Sequence, residues 1–210
     1  MKIKICGLKY ADNLLNISAL DPDFIGFIFY EKSPRYVEEF DSKIIQQIST
    51  QVKKVGVFVN ASIEYVLNKV NKYQLDFVQL HGNETAVYCN ALQEQNISII
   101  KAFSVSENFD FENLSNYQNS CTYFLFDTAT KNYGGSGKSF NWQVLKNYQL
   151  NIPFFLSGGI GLDNINQALN FKHPQLFAFD LNSKLEEYAG FKNLQSTKNI
   201  INKIRNHDTV

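Results

Sequence analysis

Short apolar runs rich in β-branched and aromatic residues recur along the chain, and between them apolar positions fall at helical spacing. Strands are predicted at residues 2–6, 24–29, 54–59, 77–80, 98–103, 123–127, 153–157 and 176–180. Helices are predicted between and after them, at 11–19, 42–51, 62–72, 83–95, 112–117, 141–147, 163–170 and 192–204, with the thinnest patterns at 112–117 and 141–147. Strand starts lie roughly 20 to 30 residues apart, which leaves room for one helix and two short loops each time. Eight such alternations with no long linker predict an α/β fold, a closed (β/α)8 TIM barrel in a single compact domain over residues 1–205, rather than an open doubly wound sheet. Residues 206–210 read as a polar C-terminal tail.

Alternation within the strands then divides side chains between two faces. Lys4 with Cys6, Gln79 with His81, Ile99 with Lys101, Leu125 with Asp127, and Ala178 with Asp180 are expected to face the barrel interior. Ile3, Ile5, Val78, Leu80, Ile100, Phe124, Phe126, Phe177 and Phe179 are expected to face the helices. Polar side chains inside a barrel are costly to bury without a polar ligand or water, so they point to a site at the C-terminal ends of the strands. There, Cys6 and Asp127 end two apolar runs far apart in sequence. Brought together, they would form a base and an acid across one pocket. As a base, Cys6 needs its thiol pKa lowered, with Lys4 the nearest source of help.

Charge and composition narrow the partners. Lys plus Arg equals Asp plus Glu at 20 each, so no basic field attracts nucleic acid or an anionic membrane surface. No stretch is long and apolar enough for a membrane span, and the start runs directly into a strand pattern. Cys6, Cys89 and Cys121, with three scattered histidines, lack metal-ligand spacing and read as reduced thiols of a cytoplasmic protein without metal or cofactor. Any anion, such as a small phosphorylated molecule, must therefore be bound locally, and the chain is expected to be a monomer or a homodimer.

The ordered series Lys-Ile-Cys-Gly (4–7), Lys-Ser-Pro-Arg-Tyr-Val (32–37), Val-Gln-Leu-His-Gly (78–82), Phe-Asp-Thr (126–128), Gly-Gly-Ser-Gly-Lys-Ser-Phe-Asn-Trp (134–142) and Ser-Gly-Gly-Ile (157–160) resembles the phosphoribosylanthranilate isomerase family of tryptophan biosynthesis. The resemblance covers nearly the whole chain. It implies an Amadori rearrangement, with Cys6 as general base and Asp127 as general acid, a role that asks for a carboxyl group able to carry a proton near neutral pH. It also implies that Arg35, aimed by a Ser-Pro-Arg loop, holds the anthranilate carboxylate.

His81 either lines the same pocket or bonds to a neighbouring carbonyl. Phosphate is expected at Gly158 and Gly159 after the seventh strand and at Asp180, Asn182 and Ser183 after the eighth, where Ser-Lys-Leu-Glu (183–186) has the form of a capping box. For the paired glycines a plain tight turn is the alternative. Gly135 belongs to a glycine-rich segment, 134–140, read as a lid over the substrate.

Two other motifs fail. Gly-Lys-Ser at 137–139 lacks the first glycine of a P-loop, and Asn164 stands where a dinucleotide fingerprint needs glycine. Two departures from the family pattern also stand out: Lys184 and Leu185 interrupt its Ser-Gly-Val-Glu run, and Ala-Gly-Phe-Lys-Asn (189–193) replaces Pro-Gly-x-Lys-Asp. The first bears on phosphate affinity, and the second is expected to loosen the last helix start. Two rival readings are a sugar-phosphate isomerase of histidine synthesis, whose relatives carry aspartate where Cys6 stands, and a barrel that binds a phosphorylated ligand without catalysis.

Overall fold

In the computed structural model, which describes residues 1–129 and 140–207, eight parallel strands close into a barrel in sequence order. They are β1 (Lys2–Ile5), β2 (Phe24–Ile28), β3 (Lys53–Phe58), β4 (Phe77–Leu80), β5 (Ile99–Val105), β6 (Tyr123–Thr128), β7 (Phe154–Leu156) and β8 (Leu176–Leu181). Pairing of β1 with β8, from Lys2 opposite Ala178 to Ile5 opposite Leu181, seals the cylinder. The predicted TIM barrel is therefore the fold, with every strand within two residues of its expected limits.

Among the described residues six α-helices cover the outside: α1 (Ala11–Ser18), α2 (Ser42–Gln46), α3 (Ile63–Tyr73), α4 (Ala86–Gln93), α5 (Ile165–Asn170) and α6 (Leu194–His207). The two thinnest helical patterns became 3-10 turns, Glu112–Tyr117 and Trp142–Asn147. Polar side chains compete with the backbone at the first of them: Asp110 accepts from the Glu112 N–H at 2.9 Å and Ser115 donates to the Glu112 carbonyl at 2.7 Å. Helix α2 stops five residues before its expected end because its last bonds tighten to the i−3 pattern, from Gln47 N to Ile44 O and from Ile48 N to Ile45 O. At the other end of the chain, α6 runs through Asn206 to His207, into the stretch expected to be a tail.

Two hydrophobic layers share the strands. Ile3, Ile5, Val78, Leu80, Phe124, Phe126 and Phe179 pack outward against Leu14, Ile17, Val66, Leu92, Ile165 and Ile200 of the helices. Phe24, Val55, Ile100, Ala102, Leu125, Phe155 and Ala178 fill the interior, with Phe77, Tyr123 and Phe177 closing its lower end. There Tyr123 stacks on Phe177 at 4.6 Å between ring centroids and Phe24 meets Phe155 edge-on at 5.2 Å. This aromatic plug leaves the cylinder open only at the C-terminal ends of the strands.

Two face assignments are corrected. On β5 it is Ile100 and Ala102 that point inward, while Ile99 packs outward and Lys101 is buried in the outer layer, within 3.1 Å of the Glu84 carboxylate. Alternation sets the period of a strand but not its phase, and the buried partner that allows Lys101 to face the helices is 17 residues away. Phe177 also turns inward, because the β7–β8 register shifts between Phe154 and Phe155 and places both Phe177 and Ala178 in the inner cluster.

Candidate active site

Cys6, just past β1, and Asp127, near the end of β6, line one pocket at the open mouth, together with Arg35, Gln79, His81, Ser157, Gly158, Gly159, Asp180, Asn182 and Ser183. The pocket opens onto about 710 Å³ of space, the solvent at its mouth included. Every expected site residue therefore faces the same space except Gly135, which lies outside the described residues along with most of the glycine-rich segment. Among the described residues no three His, Cys, Asp or Glu side chains gather as a metal site needs.

Below the mouth sits a buried charge pair. Lys4, wholly inaccessible on β1, places Nζ 2.7 Å from Asp180 Oδ1 on the paired strand β8, and Ser157 Oγ donates to the other oxygen at 3.1 Å. Burial alone would lower the Lys4 pKa, yet the Asp180 charge and hydrogen bonds to Asp180 and Cys6 hold it above its ordinary value. The same burial pushes the Cys6 thiol up; Lys4 opposes it and the Asp180 charge adds to it. The direction is thus opposite to the lowering expected, because desolvation outweighs the opposing pull of Lys4 and Lys192. Gly26 gives the sulfur its room: a Cβ at position 26 would lie 2.7 Å from Cys6 Sγ. Gly26→Ala is expected to displace the thiol and lower kcat at least tenfold, read by steady-state kinetics, with only a modest loss of thermal stability.

The Asp127 carboxyl group accepts the Thr128 N–H on Oδ1 at 2.7 Å and faces His81 Nε2 at 3.4 Å with Oδ2. His81 thus takes the pocket-lining option. Beside Asp127, Gly158 and Gly159 adopt φ of +90° and +63°, and a side chain on Gly158 would run into Thr128. Asn164 braces that loop from below, accepting from Gly161 N at 2.8 Å and donating to Gly159 O at 2.9 Å. The residue that breaks the dinucleotide fingerprint therefore holds the glycine turn in place.

At the far wall lies a small hairpin absent from the expected elements, β9 (Glu186–Tyr188) and β10 (Phe191–Lys192), turning at Gly190. The only available signal was Ala-Gly between two aromatics. Its Glu186 grips Arg35 in a two-pronged pair, Nε to Oε1 at 2.8 Å and Nη2 to Oε2 at 2.6 Å, while Lys192 reaches Glu186 at 2.7 Å and Asn182 Oδ1 at 2.6 Å. Burial brings Lys192 down to about 8, against the pull of Glu186, whose own carboxyl is held below its ordinary value by Arg35 and Lys192 despite burial.

The capping box is consequently not made. Glu186 turns to Arg35, and Asn182 precedes the short 3-10 turn Ser183–Leu185 without a side-chain cap. Lys184, the departure suspected of touching phosphate, bonds to Asp163 at 2.8 Å on the exposed side. At the start of the last helix, Asn193 supplies a cap by accepting from Ser196 N at 2.8 Å.

The family model for N-(5′-phosphoribosyl)anthranilate (PRA) isomerase matches residues 3–203. The chain belongs to this family. Within the PRA isomerases it is 45% identical over 206 residues to the enzyme of Parabacteroides distasonis, covering 97% of this chain and 93% of that one. The crystal structure of phosphoribosyl anthranilate isomerase from Thermotoga maritima superposes with a TM-score of 0.83 at 34% identity, covering 98% of this chain and 99% of that one. A further PRA isomerase, solved in complex with reduced 1-(o-carboxyphenylamino)-1-deoxyribulose 5-phosphate, superposes with a TM-score of 0.79 at 30% identity over 98% of this chain and 99% of that one. No helix among the described residues is long and apolar enough to cross a membrane.

Proposed function

We propose that this chain converts N-(5′-phosphoribosyl)anthranilate to 1-(2-carboxyphenylamino)-1-deoxyribulose 5-phosphate in the cytoplasm, with Asp127 as general acid and Cys6 as general base. Asp127 gives its proton to the ribose ring oxygen, the ring opens to a Schiff base, and Cys6 as thiolate takes the C2′ proton. The enolamine then ketonises, so substrate and product are isomers and no electrons leave the site. The observation that carries this reading is that Cys6 and Asp127 line one pocket from strands on different sides of the barrel.

Phosphate is received at the Gly158–Gly159 turn and the Asn182–Ser183 segment, which leaves the aromatic carboxylate to Arg35. Glu186 occupies Nε and Nη2 of that guanidinium, so Nη1 is left to meet a carboxylate in the pocket that Arg35 lines. Glu186→Gln is expected to raise KM several-fold while kcat changes less than about twofold, since it loosens a binding group and not the proton donors. Turnover itself is read by the loss of anthranilate-type fluorescence when the protein meets freshly generated phosphoribosylanthranilate. Asp127→Asn is expected to lower kcat by on the order of 10²–10⁴-fold, with binding of the reduced product analogue kept within about threefold. Wild-type turnover in that variant removes Asp127 from the acid role.

A further inference from the structure

Gln79, on β4, is 1% exposed and lines the pocket, yet its amide oxygen is buried without a hydrogen-bond partner among the described residues. An unpaired buried oxygen costs stability, and an apolar side chain of similar size would avoid that cost. What the amide achieves lies on its other atom, for Nε2 stands 2.8 Å from His81 Nδ1. An amide nitrogen only donates, so Nδ1 accepts and the ring proton sits on Nε2, 3.4 Å from Asp127 Oδ2. Gln79 thus bonds to one side of the ring and leaves the ring N–H on the side that faces the Asp127 carboxyl group.

We propose that Gln79 is a positioning residue that holds His81 as the Nε2–H tautomer, so that the ring donates to Asp127 as its carboxyl group releases a proton. The inference rests on the reading of Asp127 as the acid. When that proton leaves, negative charge appears on two oxygens that already face N–H groups, Thr128 N at Oδ1 and His81 Nε2 at Oδ2. Both donors interact more strongly with the charged group than with the neutral one, so they stabilise the transition state more than the bound substrate. Had Gln79 turned its oxygen to the ring, the proton would lie on Nδ1 and the Nε2 lone pair would oppose the developing charge. The unpaired Oε1 is the consequence of turning the donor inward. Gln79 is not needed to place the ring's backbone, which is pinned by His81 N donating to Phe58 O at 2.8 Å.

Long-range ¹⁵N–¹H spectra of histidine-labelled protein read the tautomer directly. In the wild type, His81 is expected to carry its proton on Nε2. Gln79→Leu removes the donor and the orphan oxygen together; His81 should lose its tautomer preference and kcat should fall roughly tenfold with KM little changed and Tm equal or higher. Gln79→Glu, nearly identical in shape, reverses the polarity, and it should draw a proton onto Nδ1 and lower kcat at least as far. A wild-type ring protonated on Nδ1, or a Gln79→Leu variant with an altered tautomer and full kcat, overturns the proposal. The spectrum reads Gln79 and His81 alone, so its failure is distinct from a failure of Asp127, which the Asp127→Asn turnover reports.

Discussion

Cys6→Ser is expected to lower kcat by on the order of 10²–10⁴-fold while the product analogue still binds within about threefold of its wild-type affinity. A hydroxyl fits where the sulfur sits against Gly26, but it does not ionise in the range where a thiol does, so the variant keeps the shape of the site and loses its base. The pH profile adds a second readout. Burial raises the Cys6 thiol, Lys4 and Lys192 pull it down and Asp180 pushes it further up, with burial largest. A raised thiol pKa leaves the resting site protonated below that pKa, so the acidic limb of kcat/KM climbs as pH rises. The limb should vanish in Cys6→Ser. A flat profile in the wild type, or a serine variant that retains it, would assign the base to another group.

The largest effect on stability is expected away from the chemistry, at Lys101→Met. Nζ of Lys101 serves Glu84 Oε2 at 3.1 Å and the carbonyls of Gly82 and Ala102 at 2.9 and 3.0 Å, all in the outer layer. Glu84 in turn accepts from Asn60 N at 2.7 Å and Gly82 N at 2.9 Å, so one buried pair ties the loops after β3 and β4 to β5. Removing only the cation leaves a carboxylate buried without its counter-charge, at a cost of roughly 3–5 kcal/mol, or a Tm lower by about 6–20 °C for a domain of this size. Because His81 stands one residue before Gly82, kcat should fall as well. The double change Glu84→Gln with Lys101→Met removes both charges and is expected to recover most of the lost Tm. If the double variant is no more stable than the single one, packing of the lysine stem rather than charge explains the loss.

Local pattern carried most of the fold because each strand is a compact apolar run bounded by polar loops, and the eightfold recurrence left few other closures. It failed where a partner distant in sequence decides the outcome. Lys101 was placed inside for being polar, although Glu84 gives it an outer berth. Glu186 looked like half of a capping box, although Arg35, 151 residues earlier, claims its carboxylate. Asn164 was noticed for breaking a motif and turns out to brace the glycine turn. The candidate site was more legible than these packing details, since Cys6, His81, Asp127 and Asp180 each close a strand and barrel geometry brings strand ends to one mouth. Direction of the Cys6 shift was not legible, because it depends on burial that no run of residues records.

The most direct measurement is a crystal structure of this chain with the reduced product analogue bound. The expected result has the Cys6 sulfur and the Asp127 carboxyl each within roughly 3–3.5 Å of the sugar, on opposite sides of it, with the phosphate at Gly158 to Ser183 and the aromatic carboxylate at Arg35. A sugar bound beyond reach of either side chain, or a phosphate seated at Arg35 in place of the carboxylate, would contradict the pairing of this thiol and this carboxyl as base and acid.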